Sequence, residues 1–214
     1  MFSEFRFSVY SSRQTVNERG NMAKTTREAR SEQTRVELEK AARSVFERHG
    51  YLAAKITDIT REAGRAAGSF YNHFDSKEAV LLALARQIGD DADVIVAEQD
   101  VHARDKRTMR PHLEVFWQIF HRNRVVIDAL RDAARVHPEF AERIEAFTII
   151  QFEPWVQRLR GFEEAGVVLP ASPEATALLI GGTAEGFARN WTGDRTEGVE
   201  TLIRFVDRSV FAER

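Results

Sequence analysis

From Thr34 to the C-terminus the apolar residues fall at helical spacing, and no stretch of useful length alternates as a half-buried strand must. Leu38, Ala41, Ala42, Val45 and Phe46 occupy one face of a helix. Thr34 reads as its cap, and Gly50 falls where a left-handed residue closes a helix. Ile56, Ile59 and Ala63 form a short second stripe ended by Gly64, and Ala67, Phe70, Tyr71 and Phe74 form a third. Asp75 or Ser76 then opens a long helix carrying Val80, Leu81, Leu84 and Ile88. Leu113, Phe116, Trp117 and Phe120 resume the pattern after a polar stretch, and Ile127, Leu130 and Ala134 carry it to His137-Pro138. Ile144, Phe147, Gln151 and Trp155 line a further helix with a bend expected at Pro154, and residues 173–191 and 198–211 read as the last two. The spacing predicts an all-α fold of about nine helices.

Several function classes are excluded early. The 214 residues include no cysteine, so disulfides, thiolate nucleophiles and cysteine metal sites are ruled out. The six histidines contain no pair four residues apart, and there is no Gly-x-Ser-x-Gly elbow, phosphate loop or dinucleotide fingerprint. Glu163-Glu164 and Asp90-Asp91 read as solvated neighbours. No catalytic residue, metal site or cofactor is therefore expected. No window is long and apolar enough for a membrane span, and Met1–Tyr10, with Glu4 and Arg6, lacks a signal-peptide core. A soluble cytoplasmic protein with no membrane partner is the expectation. Residues 1–33 read as a flexible arm, and Met22-Ala23-Lys24-Thr25 reads as a more ordinary start, so residues 1–21 are expected to be an over-long reading of the gene. Charge is uneven: residues 1–80 hold 14 basic and 11 acidic side chains, residues 81–214 hold 17 and 22. Only the front suits a polyanion.

Two short apolar stripes around a glycine turn are what a helix-turn-helix needs, its second helix presented to a DNA major groove. Gly64 supplies the positive φ of the turn. Phe70, Phe74, Ile59 and Val45 would close a small core, leaving Gly68, Ser69, Asn72 and His73 outward. Gly68 permits close backbone approach, Ser69 can donate to phosphate or base, and Asn72 can pair with adenine N6 and N7 or with a phosphate. Lys77, in the first turn of the next helix, is placed for a phosphate.

Asp58-Ile59-Thr60, Ala63-Gly64, Gly68-Ser69-Phe70-Tyr71-Asn72-His73-Phe74 and Ser76-Lys77-Glu78 together resemble the signature of the TetR family of transcriptional regulators. The likeness spans residues 34–80. It implies a DNA-binding domain there and a ligand-sensing, dimerising domain over 81–214. It also implies a homodimer on a palindromic operator of double-stranded DNA. By the same resemblance Tyr71, His73 and Lys77 contact phosphates, and Ala67, Ser69 and Asn72 face bases. Gly68, Lys55 and Thr57 complete the expected DNA-binding set. The chain departs from the family pattern at Arg65 and Ala66. Ala66 offers no side-chain oxygen to cap the third helix, a loss of roughly 1 kcal/mol. Lys55 likewise stands where a Ser or Thr is usual.

The remaining region is rich in aromatics. Phe116, Trp117, Phe120, Phe147, Trp155, Phe187 and Trp191 are the candidates to line an apolar pocket, with Gln151 and Asn190 to orient a carbonyl or amide. The alternative is that these rings are plain core. The stretch Leu113–Phe120 with Arg131–Arg135, and Ser76–Leu82, is similar to the ethionamide-resistance repressor branch of the family, which implies a long apolar small-molecule effector. Gly181, Gly182 and Gly186, with Leu178, Leu179 and Val206, would let helices approach closely, between two copies by the resemblance or within one chain otherwise. The expected function is a sequence-specific, ligand-released repressor. One rival is a helical small-molecule-binding protein with a degenerate DNA-binding unit, which would bind ligand without salt-dependent DNA affinity. The other is an all-α enzyme, for which the sequence names no catalytic group.

Overall fold

The computed structural model describes residues 26–100 and 107–211, with side chains placed from Glu28 onward except at 93 and 96–100. Among the described residues there are nine helices and no strand. They are α1 (Thr26–Ala53), α2 (Ile56–Glu62), α3 (Ala67–Tyr71), α4 (Lys77–Asp100), α5 (Arg110–Arg122), α6 (Arg124–Val136), α7 (Pro138–Glu164), α8 (Pro173–Asn190) and α9 (Arg195–Phe211).

The chain divides into two compact units, Met1–Glu37 and Leu38–Arg214. In the first, residues 26–33 are already helical, which corrects the arm expected to reach residue 33. Thr34 is therefore inside α1 and not its cap. Its hydroxyl donates to the Arg30 carbonyl one turn back, a common resting place for a threonine within a helix. The remainder of the arm, and the question of residues 1–21, lie outside the described residues.

In the second unit the helices enclose two apolar cores. Leu38, Ala42 and Val45 of α1 pack with Ile59, Phe70 and Phe74, and with Val80, Leu81 and Leu84 of α4. Val126, Ala129 and Ala133 of α6, and Phe140 of α7, belong to this same core. It therefore extends well past residue 80. Leu113 and Phe120, Leu159, Ile180 and Ala184, and Ile203 and Val206 draw α5, α7, α8 and α9 into the second. Helix α6 lies between the two: Leu130 packs on the first core and Ile127 on the second. Its most buried face is 126/129/133, one residue off the expected stripe, because apolar side chains are wanted on two of its sides.

Polar contacts tie the helices at fixed points. Asp207 of α9 accepts from the Thr108 hydroxyl at 2.7 Å and the Met109 amide at 3.0 Å, satisfying donors at the start of α5. Arg110 forks onto Glu200. Between α6 and α8, Arg131 pairs with Glu185, and Arg189 pairs with both Asp128 and Glu185. Helix α7 runs unbroken from Pro138 to Glu164 with Pro154 inside it. Along α8, Leu178 (69% exposed) and Leu179 (63%) stand in solvent beside exposed Gly182 and Gly186, and Phe205 of α9 is also exposed. Val206 and Gly181 do not share that surface. Val206 is in the second core, and Gly181 lies beneath the Phe152 ring of α7, where a methyl group would come within 2.3 Å of ring carbon. No helix among the described residues is long and apolar enough to cross a membrane.

Candidate nucleic-acid interface and aromatic interior

The turn after α2 is built by its hydrogen bonds. The Gly64 amide donates to the Arg61 carbonyl and the Arg65 amide to the Thr60 carbonyl, the paired closure of a helix by a left-handed glycine. Gly64 has φ 63°, as its place in the sequence requires. Helix α3 follows at once, with Ala66 extended at its N-cap and no side-chain cap bond, and Lys55 stands uncapped in the same way before α2. Phe70 and Phe74 are buried against Ile59 and Val45, which holds α3 to the rest of the head. Arg48 of α1 bonds Glu62 of α2 through both guanidinium nitrogens, and Ser44 donates to the same carboxylate. These contacts hold Glu62 below the usual carboxylate range, Arg48 first and Ser44 second, but the pair is open to solvent and contributes little to stability.

This packing presents a small-residue face. Ala66, Ala67, Gly68, Tyr71 and Asn72 are exposed, and Lys55 and Thr57 are exposed at the start of α2. No atom lies within 4 Å of where a Gly68 side chain would begin. Ser69 and His73 are half-buried. The Tyr71 ring stands edge-on to Phe70, with centroids 5.6 Å apart, so the buried ring steadies the exposed one.

Lys77 sits differently from its expected phosphate contact. Its ammonium donates to the Tyr51 carbonyl at 2.7 Å and the Ala54 carbonyl at 3.0 Å, and lies 4.1 Å from the centre of the Tyr51 ring. Two of its three donors close the last turn of α1, where carbonyls have no helical partner. Burial lowers its pKa, with Glu78 opposing. Next to it, Glu78 accepts from the Tyr51 hydroxyl and stands 3.3 Å from His137 Nε2. Burial pushes the Glu78 carboxyl up, but hydrogen bonds from Tyr51 and Ser76 outweigh it and leave the group below its ordinary value. Ser76 caps α4 through the Ala79 amide. The α1 end, the α4 start and the α6–α7 corner thus meet at one polar cluster.

The aromatic candidates divide. Ring contacts run without a gap from Phe152 through Trp155, Phe116, Phe120, His121, Trp117 and Phe187 to Trp191. Of the seven aromatic residues expected at the pocket, six are in this ladder; Phe147, half-buried, makes no ring contact with it among the described residues. Gln151 turns toward α4, where a methyl group on Gly89 would come 2.7 Å from its amide nitrogen. Asn190 is exposed and donates to the Gly186 carbonyl, so it lines no interior wall. His121 and Phe152 belong to the ladder and His112 stands against it, none of them among the residues expected to line a pocket. Spacing could have found His121, four residues after Trp117 on the same helix face.

Comparisons with known proteins agree with this architecture. Residues 38–84 match the family described as bacterial regulatory proteins, tetR family. The chain is 24% identical to the transcriptional repressor AcnR of Corynebacterium efficiens over 179 residues, 83% of this chain and 92% of that protein. It is 26% identical over 189 residues to the transcriptional regulator EthR of Mycobacterium tuberculosis H37Rv, covering 80% of this chain and 84% of EthR. Its fold is similar to that of the fatty acid degradation regulator FadR from Bacillus halodurans, with a TM-score of 0.72 at 21% identity over 81% of this chain and 94% of the other.

Proposed function

We propose that this chain, a DNA-binding transcriptional regulator of the TetR family, is a cytoplasmic homodimeric repressor that leaves a palindromic operator when a small apolar effector binds. One observation carries the reading: α3 turns an exposed face of Ala67, Gly68, Tyr71 and Asn72 outward from a buried aromatic base. Small side chains there let the helix backbone close on a groove, while Asn72 and half-buried Ser69 face base edges and Tyr71, with half-buried His73, meets the phosphates. Lys55 and Thr57 approach the same strand from α2. One such helix reads few bases, so two copies on half-sites related by symmetry supply the specificity. The exposed Leu178, Leu179, Gly182, Gly186 and Phe205 surface supports pairing through α8 and α9.

Release follows from connection. Residues 34–80 serve as the reading domain and 81–214 as the sensing and dimerising domain, with α4 running out of the first core to pack against α5. An effector among Phe116, Trp117, Phe120, Trp155, Phe187 and Trp191 that favours one tilt of α4 changes the spacing of the two α3 helices. Moving the population from 1:99 to 99:1 takes a differential affinity of about 5.5 kcal/mol, within reach of two effector sites per dimer.

The test is selection of bound fragments from the source organism's DNA by purified protein, with Asn72→Ala beside it. A palindrome is expected from the native chain, and the variant is expected to recover altered bases at one position per half-site with a loss of about 1–3 kcal/mol. Equal weakening on every sequence would move Asn72 to a phosphate. No enrichment at low salt would favour the helical ligand-binding protein whose DNA-binding unit has decayed.

A further inference from the structure

Between the C-terminal end of α5 and the start of α9 lies a cleft of about 480 Å³ lined by Trp117, Gln118, His121, Arg122, Arg195 and Val199, together with Thr196. Its volume is that of a small-molecule site. Its chemistry is lopsided. No carboxylate lines it, and neither Arg122 nor Arg195 has a carboxylate partner among the described residues. Several arginines nearby do have carboxylate partners: Arg110 of α5 with Glu200, Arg131 of α6 with Glu185 and Arg189 of α8 with Asp128.

Two further groups point the same way. Trp117 is 6% exposed, and its indole N–H is buried with no hydrogen-bond partner. His121 Nε2 is buried without one as well. Buried donors left unpaired are uncommon in folded proteins, and two of them lining one cleft ask for an acceptor. Desolvation, then Arg195 and Arg124, hold the His121 pKa below its ordinary value, so the ring is neutral near pH 7 and its Nε2–H tautomer can donate. The backbone amides at the start of α9 are not available for this purpose. Asp194 accepts from Thr196 and Glu197 there.

We propose that this cleft binds an organic carboxylate with a flat apolar body. Arg122 and Arg195 grip the carboxylate, Trp117 and His121 donate to its oxygens, and the body lies against the Trp117 ring and Val199. A planar carboxylate suits side-chain donors spread on two helices and forked guanidinium groups. A compact phosphate would draw on the free backbone amides that this helix start lacks. The cleft shares only Trp117 with the apolar effector seat, so it is a second ligand site, and any effect of the carboxylate on operator release rests on the function proposed above. The binding itself is independent of DNA.

The chain has three tryptophans, so the nitrogen-labelled full-length protein gives three indole N–H resonances, and Trp117→Phe identifies the one in question. Titration with benzoate is expected to move the Trp117 resonance along a saturable curve, while benzamide, of the same shape and no charge, leaves it in place. The double variant Arg122→Gln/Arg195→Gln, its fold checked by the unchanged remainder of the spectrum, is expected to weaken benzoate at least about tenfold. A Trp117 resonance indifferent to benzoate up to roughly 10 mM overturns the proposal. So does an equal response to benzamide, or inorganic phosphate binding as tightly as benzoate. Benzoate binding as expected while operator affinity stays unchanged would uphold the site and deny it any part in release.

Discussion

Lys77 shows how one side chain can be claimed by two tasks. The motif around it points to DNA, yet its donors are turned inward onto the carbonyls of Tyr51 and Ala54. The sequence could not reveal this, because those partners lie 26 and 23 residues away and meet Lys77 only once α1 has folded back on α4. Lys77→Met keeps the alkyl stem over the Tyr51 ring and removes the donors. Leaving the carbonyls of a helix end unpaired in a half-buried setting costs about 1–3 kcal/mol. Chemical denaturation is therefore expected to show that loss, with operator affinity of the folded variant reduced less than by Asn72→Ala. An unchanged denaturation midpoint with DNA affinity lost would return Lys77 to the phosphate. Gly64 is the opposite case. Its role was legible because a turn glycine is dictated by the chain within five residues, and the two bonds that define the turn are local.

At the level of elements, periodicity located the helices and misjudged some of their faces. The ends of α1 and α6 explain why. Thr34 has the chemistry of a cap, but helical residues precede it, and a hydroxyl can serve a carbonyl one turn back just as well. Helix α6 is packed on two sides, so a single apolar stripe cannot describe it. On α8 the glycines separate into two kinds that spacing alone does not distinguish. Gly181 faces Phe152 with no room for a methyl group, whereas a methyl group on Gly182 would meet no neighbouring side chain or helix within 4 Å. Gly181→Ala must displace a half-buried aromatic ring and is expected to cost about 1–3 kcal/mol in denaturation experiments. Gly182→Ala is expected to raise the intrinsic stability of the helix by about 1 kcal/mol. It is also expected to weaken self-association in sedimentation, since in the proposed pairing a methyl group would sit where a second copy comes closest. Sedimentation unchanged by Gly182→Ala would move the dimer contact away from this face of α8.

In the whole molecule the two cores do not coincide with two segments of sequence. The head resembling known DNA-binding domains ends near residue 84, but its interior is finished by Val126, Ala129 and Ala133 of α6 and by Phe140. The candidate DNA face could be read from a continuous motif; this closure could not, since it joins residues some 40 to 100 positions apart. A polypeptide ending at residue 100 would expose that side of the core to water. Each side chain left uncovered forfeits roughly 1.5–3 kcal/mol at the larger positions. Such a fragment is expected to lack a cooperative thermal transition by circular dichroism and to show no operator binding, whereas the chain through residue 211 shows both. A fragment that melts cooperatively would mean that α6 is a lid on the head rather than part of it.

That closure bears on how such a protein can change over generations. A reading head that borrowed nothing from its neighbour could be exchanged whole by recombination, and a lineage would acquire a new target in one step. Here a transplant would arrive without its floor unless residues 124–140 travelled with it, and those residues carry Asp128 and Arg131, which are committed to α8. The route left open is point substitution on the outer face of α3, where Ala67, Gly68 and Asn72 are exposed. Heredity in this architecture favours retuning the text that is read over replacing the reader.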